Sequence, residues 1–207
     1  MLQRACLLLI ALSCAVFAVD LGTAENPLTI DNENDLVLLR NAVNAGSGTF
    51  KGVDVSDGAT DLYFKLSRDL NLSELCGKNV GNWTPIGTYE HPFKGSFDGN
   101  GKTVDYLYIN EPLPERGDTA IGYYGLFGVA STENESKTLI SNLTIGENSR
   151  IVSERDGDVG AIVGLARKNV RISDCKNKAY VSGRSAVGGI VGFAANAPLP
   201  DGVNIKN

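Results

Sequence analysis

Two patterns of apolar and polar residues alternate along most of the chain. The first is a short aliphatic run with polar residues inside it, which starts at Val104, Ile140, Ile172 and Ile205, with spacings of 36, 32 and 33 residues. The second is an apolar run with two or three glycines, at 123–130, 159–166 and 187–194. Short β-type runs at this period indicate a β-solenoid, because each copy buries its apolar side chains only when it stacks on its neighbours.

The alignment of the copies predicts which side chains share the core. The expected column of inward side chains consists of Val104, Leu107, Ile140, Leu143, Ile172 and Cys175. The glycines at 128, 164 and 192 are expected at corners, where a side chain would block the turn. The aligned Asn142, Asp174 and Asn207 are expected to form a polar ladder at another corner. An up-and-down β architecture is the alternative, although hairpin arrays do not need interleaved glycine-containing copies.

The residues at 93–109 predict the entrance to this array. Phe93, Gly95 and Phe97 alternate with polar residues, as in a strand with one buried face. The sequence Asp-Gly-Asn-Gly at 98–101 then predicts a turn, because these residues tolerate positive φ. A second strand follows from Val104 to Ile109.

One amphipathic pattern predicts a helix, at 35–44. Its apolar positions at helical spacing are Leu36, Leu39, Ala42 and Val43. Asp31 is the expected N-cap and Gly46 the expected stop. A lead and this helix would therefore occupy 25–50, and the repeats would occupy 51–207.

Composition and the first residues predict export. The chain has 207 residues and a net charge of −5 without a basic cluster, which argues against a nucleic-acid partner and against anionic membranes. Residues 1–18 resemble a secretory signal peptide, with Arg4 before a short apolar centre. The alternatives are cleavage after Ala24, a retained anchor, and lipoprotein processing at Cys14. No later stretch is long enough to span a bilayer.

Two cysteines, Cys76 and Cys175, lie outside the predicted signal peptide. Two are too few for a disulfide framework or a zinc site. A bridge between them is one option in an oxidising compartment. We favour Cys175 as a small core side chain, because it aligns with Leu143.

No set of residues predicts catalysis, a metal or a cofactor. His91 is the only histidine and lies in a proline-containing turn, which favours a solvated loop residue over a catalytic base. Two acidic clusters lie among glycines and are typical of turns; they are Asp54, Asp57 and Asp61, and Glu154, Asp156 and Asp158. The alternatives for them are carboxylates that cleave a polysaccharide and, for the second cluster, a calcium site that Arg155 disfavours.

Four tyrosines are candidates for a sugar-binding strip. They are Tyr106, Tyr108, Tyr123 and Tyr124. In a regular strand, Tyr106 and Tyr108 face away from Leu107 and Ile109 and are therefore expected to be exposed. An exposed aromatic pair indicates a binding face. The alternative is that the polar loop at 111–119 covers them.

The glycine-containing copies resemble GLUG-motif repeats, on the sequences Gly-Leu-Phe-Gly at 125–128, Val-Gly-Ala-Ile-Val-Gly at 159–164 and Val-Gly-Gly-Ile-Val-Gly at 187–192. The Trp-Thr-Pro-Ile-Gly sequence at 83–87 and the segment at 93–101 also resemble what precedes such repeats. The repeats occur in bacterial surface proteins and in the non-catalytic part of IgA-specific metalloproteases. The resemblance implies an extracellular, all-β, right-handed parallel β-helix capped by the helix, and it brings no catalytic residues with it.

We therefore expect an exported, non-enzymatic repeat module that acts as an adhesive face or a scaffold. Its partner would be a host or extracellular protein or a glycan. One alternative is the amino-terminal part of a larger exported protein such as an IgA-protease-like metalloprotease, and another is a polysaccharide-acting β-helix enzyme. Because a copy opens at Ile205 without a cap, we also expect self-association through this last coil.

Overall fold

A computed structural model describes residues 20–112, 121–132 and 138–195, together with the backbone of a strand at 204–206. The predicted signal peptide, Asn207 and most of the loop at 111–119 lie outside these residues.

The predicted helix is confirmed and spans Glu33–Ala45. Its N-cap is Asn32, whose side chain accepts a hydrogen bond from the Asp35 backbone N–H at 3.0 Å. Asp31 was therefore the wrong N-cap by one residue; its carboxylate binds the Lys51 ammonium at 2.6 Å instead. Gly46 ends the helix in the left-handed region with φ of 62°, as predicted.

Short strands are the main secondary structure of the described chain, with a 3₁₀ turn at Leu72–Glu74. The strands are β1 (Leu28–Ile30), β2 (Thr49–Phe50), β3 (Val53–Asp54), β4 (Tyr63–Leu66), β5 (Leu70–Asn71), β6 (Ser96–Asp98), β7 (Thr103–Asp105), β8 (Tyr108–Glu111), β9 (Gly122–Tyr124), β10 (Phe127–Ala130), β11 (Thr138–Ser141), β12 (Thr144–Ile145), β13 (Arg150–Ser153), β14 (Gly157–Gly160), β15 (Val163–Arg167), β16 (Val170–Ser173), β17 (Lys176–Asn177), β18 (Tyr180–Ser182), β19 (Ala186–Gly188), β20 (Val191–Ala195) and β21 (Asn204–Lys206).

The chain visits five parallel sheets in the same order on each pass. Pass 1 is β6–β10, pass 2 is β11–β15 and pass 3 is β16–β20. Sheet A contains β1-β4-β6-β11-β16-β21, sheet B β5-β7-β12-β17, sheet C β8-β13-β18, sheet D β9-β14-β19 and sheet E β10-β15-β20. Strands β2 and β3 form a separate antiparallel pair. The predicted all-β class with parallel strands is confirmed.

The register of pass 1 differs from the sequence alignment. Ile140 pairs with Phe97, not with Val104, while Val104 pairs with Ile145. The predicted column was therefore wrong in its first copy, whereas Ile172 and Ile205 do continue from Ile140. The segment at 93–109 is accordingly a corner between sheets A and B and not a hairpin, since β6 and β7 pair with different strands.

One apolar core extends from the helix through the passes. Five phenylalanines form a chain of ring contacts at its first end, with centroids 5.0 to 6.0 Å apart; they are Phe50, Phe64, Phe93, Phe127 and Phe97. Cys175 is buried in this core beside the Leu143 level, as expected, and it and Cys76 are free thiols.

The glycines at 128, 164 and 192 lie inside strands of sheet E, so their prediction as corners was wrong. A Cβ on Gly164 would lie 2.6 Å from the backbone nitrogen of Tyr124 in sheet D. Sheets D and E therefore pack backbone against backbone, and glycine is needed for this close approach.

Pass 3 exposes more apolar surface than passes 1 and 2. Tyr180 is 57% exposed, Val187 43% and Phe193 49%. The expected self-association through the last coil stays a prediction. Within the described ranges, no helix is long and apolar enough to cross a membrane.

Candidate functional site

A groove of about 470 Å³ lies between the outer side chains of sheets D and E. We call it the axial groove, because its residues come from successive passes; they are Tyr89, Ile121, Tyr123, Asp156, Gly157, Asp158, Leu165, Arg167, Ser185, Ala186, Phe193 and Ala195. Tyr123, Asp158 and Ala186 lie in register on neighbouring strands of sheet D. From pass 1 to pass 3 the groove therefore crosses two inter-strand spacings, roughly 10 Å.

Two tyrosines and one arginine form a stack at the pass 1 end of the groove. The rings of Tyr89 and Tyr123 are stacked, with centroids 5.8 Å apart and an angle of 21° between their planes. The guanidinium carbon of Arg167 lies 4.5 Å from the centroid of Tyr89. Such a cation–π contact fixes the direction of a long side chain. Arg167 is thus held in place by an aromatic side chain from an earlier pass.

Local backbone contacts hold Tyr89 over the groove. It lies in the tight turn where the Thr88 backbone N–H donates to the His91 carbonyl at 2.9 Å and the His91 N–H donates to Thr88 Oγ1 at 3.0 Å. Shortly after the turn, the Phe93 N–H donates to the Val129 carbonyl of β10 at 2.9 Å. The turn is therefore attached to β10 of sheet E. This strand is the neighbour of β15, which carries Arg167.

Arg167 has an unused hydrogen-bond donor. Its Nε is buried and has no hydrogen-bond partner. In the part of the chain that the structure describes, no ion pair includes Arg167. A buried N–H without a partner costs free energy, and most such groups in folded proteins are satisfied.

Two carboxylates, Asp156 and Asp158, lie on the sheet D side of the groove. Between them, Gly157 has φ of 157° and approaches the backbone of Gly122 so closely that a Cβ would collide with it. In the same pairing, Asp158 lies in register with Tyr123. Burial raises the pKa of the Asp158 carboxyl above its ordinary value. Burial first, and then the Asp158 carboxylate, raises the pKa of the Tyr123 phenol.

The two predicted acidic clusters differ in their position relative to the axial groove. Asp54, the last residue of β3, accepts a hydrogen bond from the Ser56 backbone N–H at 2.9 Å, and Asp57, in the turn that follows, pairs with Lys94 at 2.6 Å; neither lines the groove. Asp61 takes a left-handed turn conformation with φ of 59°. Of the second cluster, Asp156 and Asp158 line the groove and Glu154 does not.

His91 is an exposed loop side chain whose ring packs over Gly46 at the end of the helix. It does not line the axial groove.

The four predicted tyrosines do not form one strip. Tyr123 lines the axial groove, whereas Tyr124 is buried against Gly122. Tyr106 is 40% exposed, and Tyr108 lies in sheet C in register with Arg150. On the next strand of sheet C, Tyr180 lies 4.8 Å from the Arg150 guanidinium.

Sequence patterns did not predict three of the groove residues, Tyr89, Arg167 and Phe193. Tyr89 precedes His91 by two residues, but the only signal there was the histidine. Arg167 follows the second glycine-containing copy directly, and Phe193 stands within the third. The alternation that places Leu165 and Arg167 on one face of β15 was the available signal.

Two residues of the predicted polar ladder lie at the corner between sheets A and B, and the ladder itself stays a prediction. Asn142 and Asp174 both have left-handed backbones, with φ of 54° and 56°, and Asn142 Nδ2 donates to Asp98 Oδ1 at 2.9 Å. The aligned Asn207 lies outside the described residues. Among the described side chains, no group of three or more His, Cys, Asp or Glu residues could hold a metal ion.

Comparison with known proteins gives two relatives by sequence. The chain is 29% identical over 150 residues to a "Putative Gly-rich membrane protein" of Evansella cellulosilytica, an alignment that covers 72% of this chain and 14% of that protein. It is 29% identical over 172 residues to halomucin of Haloquadratum walsbyi, covering 83% of this chain and 2% of halomucin. The chain thus matches only a small part of each relative's length. No family model matches the chain, so the resemblance to GLUG repeats stays a prediction.

Among solved structures, the chain is similar to a "putative immunoglobulin A1 protease" from Bacteroides ovatus. The sequences are 17% identical, the TM-score is 0.40, and the match covers 89% of this chain and 63% of that one.

Proposed function

We propose that the chain is an exported surface module, a right-handed parallel β-helix whose axial groove binds an extracellular glycan. The fold part of this proposal is supported by the five sheets that each receive one strand per pass. The surface location is supported by the names of the two relatives, a Gly-rich membrane protein and halomucin. In this proposal the module binds and does not catalyse.

The observation that carries the proposal is the aromatic lining of a groove that crosses successive passes. Tyr123 and Phe193 offer ring surface to a ligand at two levels, and Phe193 is 49% exposed. Aromatic rings with polar groups beside them suit the apolar faces and hydroxyls of sugars. Asp158, Ser185 and Arg167 supply such polar groups.

A glycan array on the full exported chain tests this function. We expect binding to one class of oligosaccharide, which Tyr123→Ala abolishes or weakens at least tenfold. Tyr180→Ala is the matched control, because Tyr180 is a half-exposed tyrosine of sheet C outside the groove lining. Absence of glycan binding, or equal losses in the two variants, would contradict the proposal.

A polysaccharide-cleaving enzyme is the second candidate, and one observation favours it. Asp158 is a carboxyl in a partly aromatic groove with a raised pKa, which is the property of a general acid, and Asp156 lies beside it. A reducing-sugar assay on polysaccharides separates the candidates. Product that disappears in Asp158→Asn would establish the enzyme, and binding without product supports the binding module.

The aligned regions cover 14% and 2% of the two relatives, which is why we also propose that this module belongs to larger exported proteins as a scaffold. The activity of such a protein would then lie in other domains. A pull-down of the native protein from its source, followed by mass determination, tests this: a mass well above 22.0 kDa supports it.

A further inference from the structure

The axial groove carries one cationic side chain that the protein itself leaves unsatisfied. The Arg167 Nε–H is buried and unpaired, and the guanidinium lies over the Tyr89 ring without an ion pair among the described residues. A guanidinium presents its donors in a planar fork that matches the oxygens of a carboxylate or a sulfate. Nε itself is enclosed by the protein, so the donors that an anionic group in the groove would meet are the two outer nitrogens of the fork, Nη1 and Nη2.

The position of Arg167 is fixed before any ligand arrives. Tyr89 stacks on Tyr123 on one side, at 5.8 Å, and holds the guanidinium at 4.5 Å. Tyr123 is in turn fixed by the register of β9 with β14. A side chain that is already held loses little conformational entropy on binding, so that more of the contact energy appears as affinity.

The acidic and basic groups around the site lie on different sides of the groove. Asp156 and Asp158 lie on the sheet D side, and Glu90 adjoins Tyr89 in the turn; Arg167 lies on the sheet E side. Asp158 forms no hydrogen-bonded ion pair with Arg167. The carboxylates can accept hydrogen bonds from sugar hydroxyls, while the arginine remains the donor for an anion. They also repel an anion in their ionised form, which makes binding weaker as pH rises.

We propose that the ligand of the axial groove is an acidic saccharide, and that Arg167 binds its carboxylate or sulfate group while Tyr123 contacts the sugar ring. This inference rests on the proposed glycan-binding function and specifies its ligand class. Arg167 is then the residue that separates acidic from neutral glycans of the same linkage, since only the acidic glycan offers a negative charge to the guanidinium.

Isothermal titration of the full chain with three defined oligosaccharides tests the inference. The probes are an oligogalacturonate, its carboxyl-reduced neutral counterpart, and a sulfated galactan oligosaccharide of equal length. We expect an acidic probe to bind at least tenfold more tightly than the neutral one, and the two acidic arms distinguish carboxylate from sulfate. Arg167→Gln should remove this preference, so that the acidic and neutral probes bind with affinities within twofold of each other.

Two variants keep the test specific. Arg167→Lys retains the charge without the fork, so it should retain only part of the preference. Arg150→Gln is the matched control, because Arg150 also lies over a tyrosine ring, at 4.8 Å, but on sheet C. This variant should bind the acidic and neutral probes with the affinities of the parent chain. Circular dichroism of each variant verifies the fold.

Different results would contradict the inference about charge and the proposed glycan-binding function. If the neutral and acidic probes bind equally and Tyr123→Ala abolishes both, the groove binds glycans but the inference about charge is wrong. If none of these probes and no array glycan binds, the proposed function itself is wrong. A preference for acid that survives in Arg167→Gln but falls in Arg150→Gln would place the anion site on sheet C and overturn the inference.

Discussion

Two arginine–tyrosine pairs lie on different sides of the molecule and have different surroundings. Arg150 and Tyr180 are direct neighbours in register on sheet C, and both are exposed. Arg167 and Tyr89 come from different passes and are separated by 78 positions in the sequence (89 to 167), yet the guanidinium distance is similar, 4.5 Å against 4.8 Å. Only Arg167 lies in a groove and has a buried Nε without a partner.

This difference shows that a contact between an arginine and a tyrosine does not by itself make a binding site. On sheet C the pair is a cross-strand contact of the kind any adjacent strands offer, and solvent surrounds it. On the side of sheets D and E, the same chemistry lies where two sheets meet with glycine against backbone. The concave surface and the loss of solvent make Arg167, and not Arg150, a candidate ligand contact.

The largest expected effect comes from a substitution that prevents the close approach of sheets D and E. In Gly164→Ala the new Cβ would lie 2.6 Å from the Tyr124 nitrogen and 2.8 Å from the Tyr123 backbone carbon, so the backbones must separate. We expect the free energy of unfolding to fall by about 3 kcal/mol. Chemical denaturation measures this fall.

Gly189→Ala is the control for that substitution. Among the described residues, a Cβ there meets only Asn177 Nδ2, at 3.8 Å. Its stability should therefore remain within ~0.5 kcal/mol of the parent or rise slightly, because alanine restricts the unfolded chain. Equal losses at both glycines would show that glycine is needed for general flexibility and not for close sheet packing.

Replacing Arg167, whose Nε is buried without a partner, is expected to stabilise the fold. Arg167→Met keeps an extended apolar side chain over Leu165 and removes the unpaired Nε–H; the cation–π contact with Tyr89 is lost. An unsatisfied buried donor costs more than such a contact returns, so unfolding free energy should rise by about 1 kcal/mol. The unfolding free energy of Arg150→Met should not rise. A clear loss of stability in Arg167→Met would mean that the stack is structural.

Asp158 is expected to reduce stability at neutral pH. Burial raises its pKa in the folded state above the ordinary 3.8, so the folded protein holds this proton more tightly than the unfolded chain does. The contribution is favourable below pH 3.8 and is lost as pH rises through the raised pKa. Asp158→Asn should therefore raise the Tm at pH 7 and leave it unchanged near pH 3. Thermal melts across this range, with the exposed Asp156→Asn as control, measure the difference.

The smallest effect is expected on sheet C. Tyr180 is 57% exposed, and Tyr180→Ala removes its contact with Arg150. Exposed cation–π contacts contribute about 0.5 kcal/mol, so unfolding free energy should fall by no more than that. A larger fall would mean that sheet C carries a pair as constrained as the one in the groove.

The repeat period, the register of sheet E and the continuation from Ile140 to Ile172 followed from the sequence, but the register of pass 1 in sheets A and B did not. Tyr106, Asn142 and Asp174 all have left-handed backbones, and each is followed by an inward side chain, Leu107, Leu143 or Cys175. Two different corners thus use the same local pattern, which made Val104 look equivalent to Ile140. Only the pairing of β6 with β4 and β11 fixes the true register.

The axial groove was less predictable, for a physical reason. Tyr123 and Asp158 were singled out separately, and their adjacency depends on the pairing of β9 with β14, which is long-range. Tyr89 comes from a turn without a repeat signal, and its contact with Arg167 depends on how that turn lies on sheet E. Local patterns indicate strands and corners, whereas a groove across passes requires the three-dimensional register.

The most direct test of the central claim is a crystal structure of the full chain with a bound acidic oligosaccharide. The account predicts a carboxylate or sulfate oxygen at about 2.7–2.9 Å from Arg167 Nη1 or Nη2, the usual length of a charge-assisted hydrogen bond, and a sugar ring against Tyr123. An oligosaccharide bound on sheet C, or one that lies in the groove with its anionic groups away from Arg167, would contradict it.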